Sequence, residues 1–94
     1  MITEKLQKEI NDQITAEMWS SNLYLSMAFH MEKEGFAGMA SWLKKQALEE
    51  QGHACEMASY VIKRGGVAKL DKIDVVPTEF GTPLAVFEQV YEHE

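Results

Sequence analysis

Cysteine is nearly absent from this chain: Cys55 is the single one in 94 residues. A lone thiol closes no internal disulfide, so the fold is expected to rest on packing and to suit a reducing, cytoplasmic setting. On a helix Cys55 lies about 200° round from His53, at ~100° per residue, which makes it a small packing side chain and not a co-ligand. Basic residues are in deficit, nine against fifteen acidic ones, for a formal charge of −6. That sign argues against nucleic acid, which wants a basic face, and suits a cationic partner. Long hydrophobic runs are missing too. Nothing approaches the ~20 apolar residues that a membrane helix needs. The opening MITEKLQKEINDQ is charged and amphipathic, unlike a signal peptide. What is present in quantity is hydrophobic residue, 46% of the chain, as expected of one folded domain over residues 1–94 and not of a disordered tract.

Proline and glycine are sparse, and their places divide the chain. From Thr3, a fair N-cap, Leu6, Ile10, Ile14, Glu17, Ser21, Tyr24, Ala28 and Met31 step by three or four, and neither breaker occurs before Gly35. The spacing predicts a long amphipathic helix over 4–34. Gly35 and Gly38 are expected to bracket a tight turn. A second helix is expected over 37–64, stopped at Gly65-Gly66. Two long helices joined by a short turn form an antiparallel hairpin. Residues 67–82 have no helical period and contain Pro77. About 16 extended residues reach roughly 50 Å, and a helix of about 28 residues is roughly 42 Å long. The segment can therefore return along the whole hairpin as a crossover. Thr82-Pro83 then supplies an N-cap and a first-turn proline for a third helix over 83–94, with Leu84, Phe87, Tyr91 and Glu94 on one face. The fold class is all-α.

Polar groups interrupt each apolar row. The second helix reads Leu43, Ala47, Glu50, His53, Met57, Tyr60. Glu17 interrupts the first helix and Glu94 ends the third. Glu17 lies about 19 residues from the turn, Glu50 about 14 and His53 about 17, which at ~1.5 Å per residue puts them within one or two turns of one level. With the third helix parallel to the second, Glu94 falls near the same height. Chains avoid burying lone charges unless these are paired or bind a metal. Three carboxylates and one imidazole suit iron, manganese or zinc, not copper(I) or an iron–sulfur cluster. No CxxC or HExxH pattern signals a structural or protease zinc. Carboxylates bridge two cations and favour Fe(III) over Fe(II), which is chemistry for two irons and dioxygen. Tyr24, on the face of Glu17, is placed to hydrogen-bond a ligand or donate an electron, or to serve as an ordinary core tyrosine.

ITAEMWSSNLYLSMA, EGFAGMASWLKKQALEEQGHA and VVPTEFGTPLAVFEQVYEHE carry a resemblance to the bacterial non-haem ferritins that runs from Met1 to Glu94. Glu-x-x-His is the known ligand pattern of ferritin-like di-iron bundles. The resemblance implies a ferritin-like four-helix bundle with a long crossover, of which this is an N-terminal part. It implies an iron-storage protein with ferroxidase activity, taking Fe(II) and dioxygen and depositing ferric mineral inside a homo-oligomeric, 24-subunit shell. Glu17, Glu50 and His53 would hold one iron, with Glu50 bridging to a second held by Glu94. Tyr24 would stand beside the site. Glu49 would match a carboxylate that some members use for a third, transient iron, or be a solvated charge. Bacterioferritins place a haem-ligating methionine after the helix-two glutamate. Gln51 stands there in this chain, so no haem is expected.

The resemblance also implies further helices that this chain lacks. Two and a half helices leave apolar stripes uncovered, so a stable monomer is not expected. Two hairpins about a two-fold axis would bring together four glutamates and two histidines, leaving Glu94 outside the site, an arrangement that encapsulated ferritins resemble. The alternative keeps ferritin packing with Glu17, Glu50, His53 and Glu94 as the ligands of a half-open centre. A metal-free helical assembly subunit is a further alternative. A rubrerythrin-like peroxide enzyme would need rubredoxin-type cysteines that are absent here.

Overall fold

A computed structural model describes all residues from Met1 to Glu94. It contains three helices and no strand: α1 Glu4–Lys33, α2 Ala37–Lys63 and α3 Pro83–His93. Thr3 caps α1, its hydroxyl accepting from the Leu6 N–H, and Glu4 places negative charge in the first turn. The turn is only Glu34, Gly35 and Phe36, with Gly35 at φ 90°. Gly38 does not bracket it but already lies in the first turn of α2, whose N-cap position is Phe36 with no side-chain cap. α2 ends at Arg64, where the Gly66 N–H reaches back to the Val61 carbonyl. Gly65, at φ 79°, supplies the left-handed residue that such a stop requires.

α1 and α2 pack side by side over their length in a particle of 49 × 19 × 19 Å. Their seam buries Tyr24, Met27, Ala28 and Met31 of α1 against Ala40, Leu43 and Ala47 of α2. The crossover runs back along α1 toward the turn, as its length predicts. α1 side chains hold its backbone at successive turns. Gln7 and Asn11 bind Val67, Asn11 also binds Lys69, and Thr15 binds Asp71. Nearer the turn, Ser26 binds Pro77 and His30 binds Gly81. Phe80 then enters the core edge-on to His30.

Thr82 caps α3 through the Ala85 N–H, with Pro83 at the first helical position. α3 leaves the His30 end and finishes beside Ser20 and Tyr24, so it runs antiparallel to α1 and parallel to α2. Its inward face differs from the expected one. Val86 and Val90 are buried, while Leu84, Phe87 and Tyr91 are exposed. The reason is geometric: only the valine edge of the helix meets the hairpin. The far half of the α2 row also departs from expectation. Ala54 and Val61 are buried, whereas Tyr60 is exposed. Leu6, Ile10, Met57 and Tyr60 line an open groove of about 460 Å³. No helix is long and apolar enough to cross a membrane.

Candidate metal centre

The level of the centre is set by small polar chemistry. Ser21 donates its hydroxyl to the Ala47 carbonyl at 2.7 Å, inside the buried α1–α2 seam. One turn before Ser21 stands Glu17, and almost one turn after Ala47 stands Glu50. Because the helices are antiparallel, that single bond brings the two carboxylates to the same height. Ala47 and Ala54 flank them with minimal volume and let the helices approach.

His53 follows Glu50 by three residues and shares its face. Its Nδ1 lies 3.7 Å from Glu17 Oε2 and 3.6 Å from Glu50 Oε2. One ligand atom from each of the three falls within 4.8 Å of the others. The carboxylates are shielded, with side chains 16% and 12% exposed, while His53 is 53% exposed and forms the open side. Gln13, one turn before Glu17, donates to Glu17 Oε1 at 3.1 Å and fixes its orientation.

Two carboxylates this close cannot both carry full charge cheaply. Glu50 is pushed up to about 7 by its hydrogen bond to Glu17, then by burial, and then by the negative charges of Glu17 and Glu94; His53 opposes this. Glu17 is held below its ordinary range, chiefly by the same hydrogen bond, with Gln13 and His53 adding to it against burial. The pair thus keeps one proton near neutrality. A cation is the natural replacement for that proton. The donor set of two carboxylates and an imidazole fits a divalent first-row metal.

Tyr24 is fully buried, and its hydroxyl donates to Glu94 Oε1. Burial first, and Glu94 second, push its ionisation well above the usual tyrosine range, so it is a phenol and not a phenolate. Glu94 approaches the centre closely enough to raise Glu50, yet it is not among the three groups whose ligand atoms converge. Glu49 is exposed and outside the cluster. Cys55 and Gln51 are exposed as well. Gln13, Ser20 and His93 take part without a signal in the periodicity, and Ser21 showed there only as a small residue of the first-helix row. His93 stacks obliquely on Trp19, meets Tyr24 edge-on and lies 2.7 Å from Ser20 Oγ through Nε2.

Comparison with known proteins identifies the family. The Ferritin family, described as "Ferritin-like domain", matches residues 7–94. The chain is 71% identical over 94 residues to a protein of Bacteroides fragilis named "Bacterial non-heme ferritin", covering all of this chain and 59% of that one. A "Probable bacterial non-heme ferritin-like protein" of Haemophilus influenzae is 36% identical over the same 94 residues, which make up 57% of its length. Among solved structures, a closed form of the Archaeoglobus fulgidus ferritin engineered by site-directed mutagenesis superposes with a TM-score of 0.96 at 44% identity, covering 99% of this chain and 57% of that one. The open-pore ferritin of the same archaeon gives 0.94, also at 44%. The chain therefore spans somewhat more than half the length of the relatives it matches. On the family match and the whole-chain identity together, it belongs to the ferritin-like family.

Proposed function

We propose that this chain carries the iron-oxidising centre of an iron-storage protein. Fe(II) is its substrate and dioxygen the oxidant, each ion giving up one electron. The observation that carries the reading is the convergence of Glu17, Glu50 and His53 from two antiparallel helices. In this reading Glu17, Glu50 and His53 bind the first ion. Glu50, with two oxygens, bridges to a second ion bound by Glu94. Tyr24 holds Glu94 Oε1 and leaves Oε2 for the metal. Anionic oxygen donors favour the ferric over the ferrous charge and so assist electron loss. The proton shared by Glu17 and Glu50 leaves when metal enters, toward the water that reaches exposed His53. The seat of α3 on α1, with Glu94 at Tyr24, supports a centre built within one chain over one shared between two hairpins.

The storage reading extends to the whole protein: a homo-oligomeric shell of 24 subunits around a ferric mineral, in the cytoplasm, without haem, nucleic acid or membrane. Glu49, exposed and next to Glu50 in sequence, would guide or transiently hold a third ion. The test is aerobic Fe(II) addition followed by near-ultraviolet absorbance. Loss of the fast phase in Glu50→Ala and in His53→Ala supports the assignment, and a fast phase untouched in both refutes it.

A further inference from the structure

The second half of the centre depends on Glu94, which sits at the last turn of a short helix. α3 buries only two of its own side chains, Val86 and Val90. Two apolar contacts do not fix a carboxylate to the fraction of an ångström that ligation requires. Something else must set the position of the helix end, and His93 makes the contacts there. Its Nε2 lies 2.7 Å from Ser20 Oγ. Ser20 is itself held, its hydroxyl donating to the Ala16 carbonyl at 3.2 Å. A serine hydroxyl both donates and accepts, so it joins His93 Nε2 in either ring tautomer. The ring also stands perpendicular to Tyr24, with centroids 5.7 Å apart, and tilted on Trp19 at 5.8 Å. Tyr24 is the residue that holds Glu94.

We infer that Ser20 and His93 form a positioning latch that joins the end of α3 to α1 and sets Glu94 and Tyr24 for the second metal ion. The inference rests on the di-iron reading above. His93 is a positioning residue; it touches no reacting group. Losing an outer partner of a metal ligand commonly weakens binding about 10- to 100-fold. Here the loss falls on the second ion alone, because Glu17, Glu50 and His53 lie on α1 and α2, which Ser21 joins through the Ala47 carbonyl, and Glu17 is further held by Gln13.

The experiment is a Co(II) titration of the intact protein that contains this chain, without oxygen, read by visible absorption and calorimetry. Wild type should take up two ions. In His93→Ala the second ion should bind about 10- to 100-fold more weakly, with the first within about threefold of wild type. Ser20→Ala should shift the second ion in the same direction. His93→Gln places an amide N–H close to where Nε2 stood and should recover most of the loss. Three outcomes overturn the latch. They are an unchanged second ion in His93→Ala, equal weakening of both ions, or a glutamine variant no better than alanine. A wild-type intact protein that binds fewer than two ions overturns the di-iron reading itself, and the latch with it.

Discussion

Replacing Glu50 by Gln should make the metal-free chain more stable at pH 8 and stabilise it much less at pH 5. Glutamine copies the shape of the protonated acid without its charge. In the folded chain Glu50 is raised from 4.5 to about 7, so the fold retains a proton that the unfolded chain has lost. Below pH 4.5 both states are protonated and Glu50 exacts no penalty. As pH rises from there through 7, the fold alone must give up a favoured proton, and stability falls. Glu17 shifts the opposite way, so its contribution is lost only as pH falls below its ordinary range and stays constant between pH 5 and 8. At about 1.4 kcal/mol per unit, the part of the Glu50 shift titrated between pH 5 and 8 comes to about 2 kcal/mol. The side chain is only 12% exposed, so solvent screening leaves most of it. Urea unfolding in chelator at both pH values measures it. The difference between Glu50→Gln and wild type should grow by about 2 kcal/mol from pH 5 to pH 8. A difference that is flat, or that shrinks with pH, would refute the shared-proton account. The same variant should bind metal poorly, so stability and binding should move in opposite directions.

Gly66→Ala should destabilise the chain by about 2–3 kcal/mol in urea or thermal unfolding. A methyl there would stand 2.5 Å from Gln7 Oε1 and 2.9 Å from both Ile2 and Val61, and Gln7 cannot swing away without losing its bond to the Val67 N–H. Gly52→Ala, in the interior of α2 with nothing within 4 Å, should instead stabilise by about 0.5–1 kcal/mol on the same assay. Thr82→Ala removes the acceptor for the Ala85 N–H and should cost about 1 kcal/mol, with amide exchange accelerated first in the opening turn of α3.

Helix existence and the crossover's path were legible because period, caps and length are local properties. Thr3, Gly65 and Thr82-Pro83 act in the structure as their chemistry dictates. The three-group cluster was legible too, since Glu50 and His53 share a face by spacing alone, and counting from the turn brought Glu17 level. What failed was the choice of face where a helix meets few neighbours. α3 shows Leu84, Phe87 and Tyr91 to solvent because burial depends on what lies opposite, and periodicity names a stripe without naming its partner. The Ser21–Ala47 and Ser20–His93 bonds escaped for a related reason. Serine on an apolar face reads as filler, and a partner 26 or 73 residues away leaves no mark on local pattern.

The crossover is gripped by its main chain. Gln7, Asn11, Thr15, Ser26 and His30 reach from α1 to backbone groups of residues 67–81. Every residue except proline offers the same N–H and C=O, so the crossover's own side chains carry little of this recognition. Tolerance to mutation should therefore be lopsided. Lys69, Asp71 and Val75 can drift with little consequence, while α1 is constrained on its crossover face as well as on its core face. A deep mutational scan would draw that face of α1 as a line of intolerant polar positions lying opposite a permissive loop.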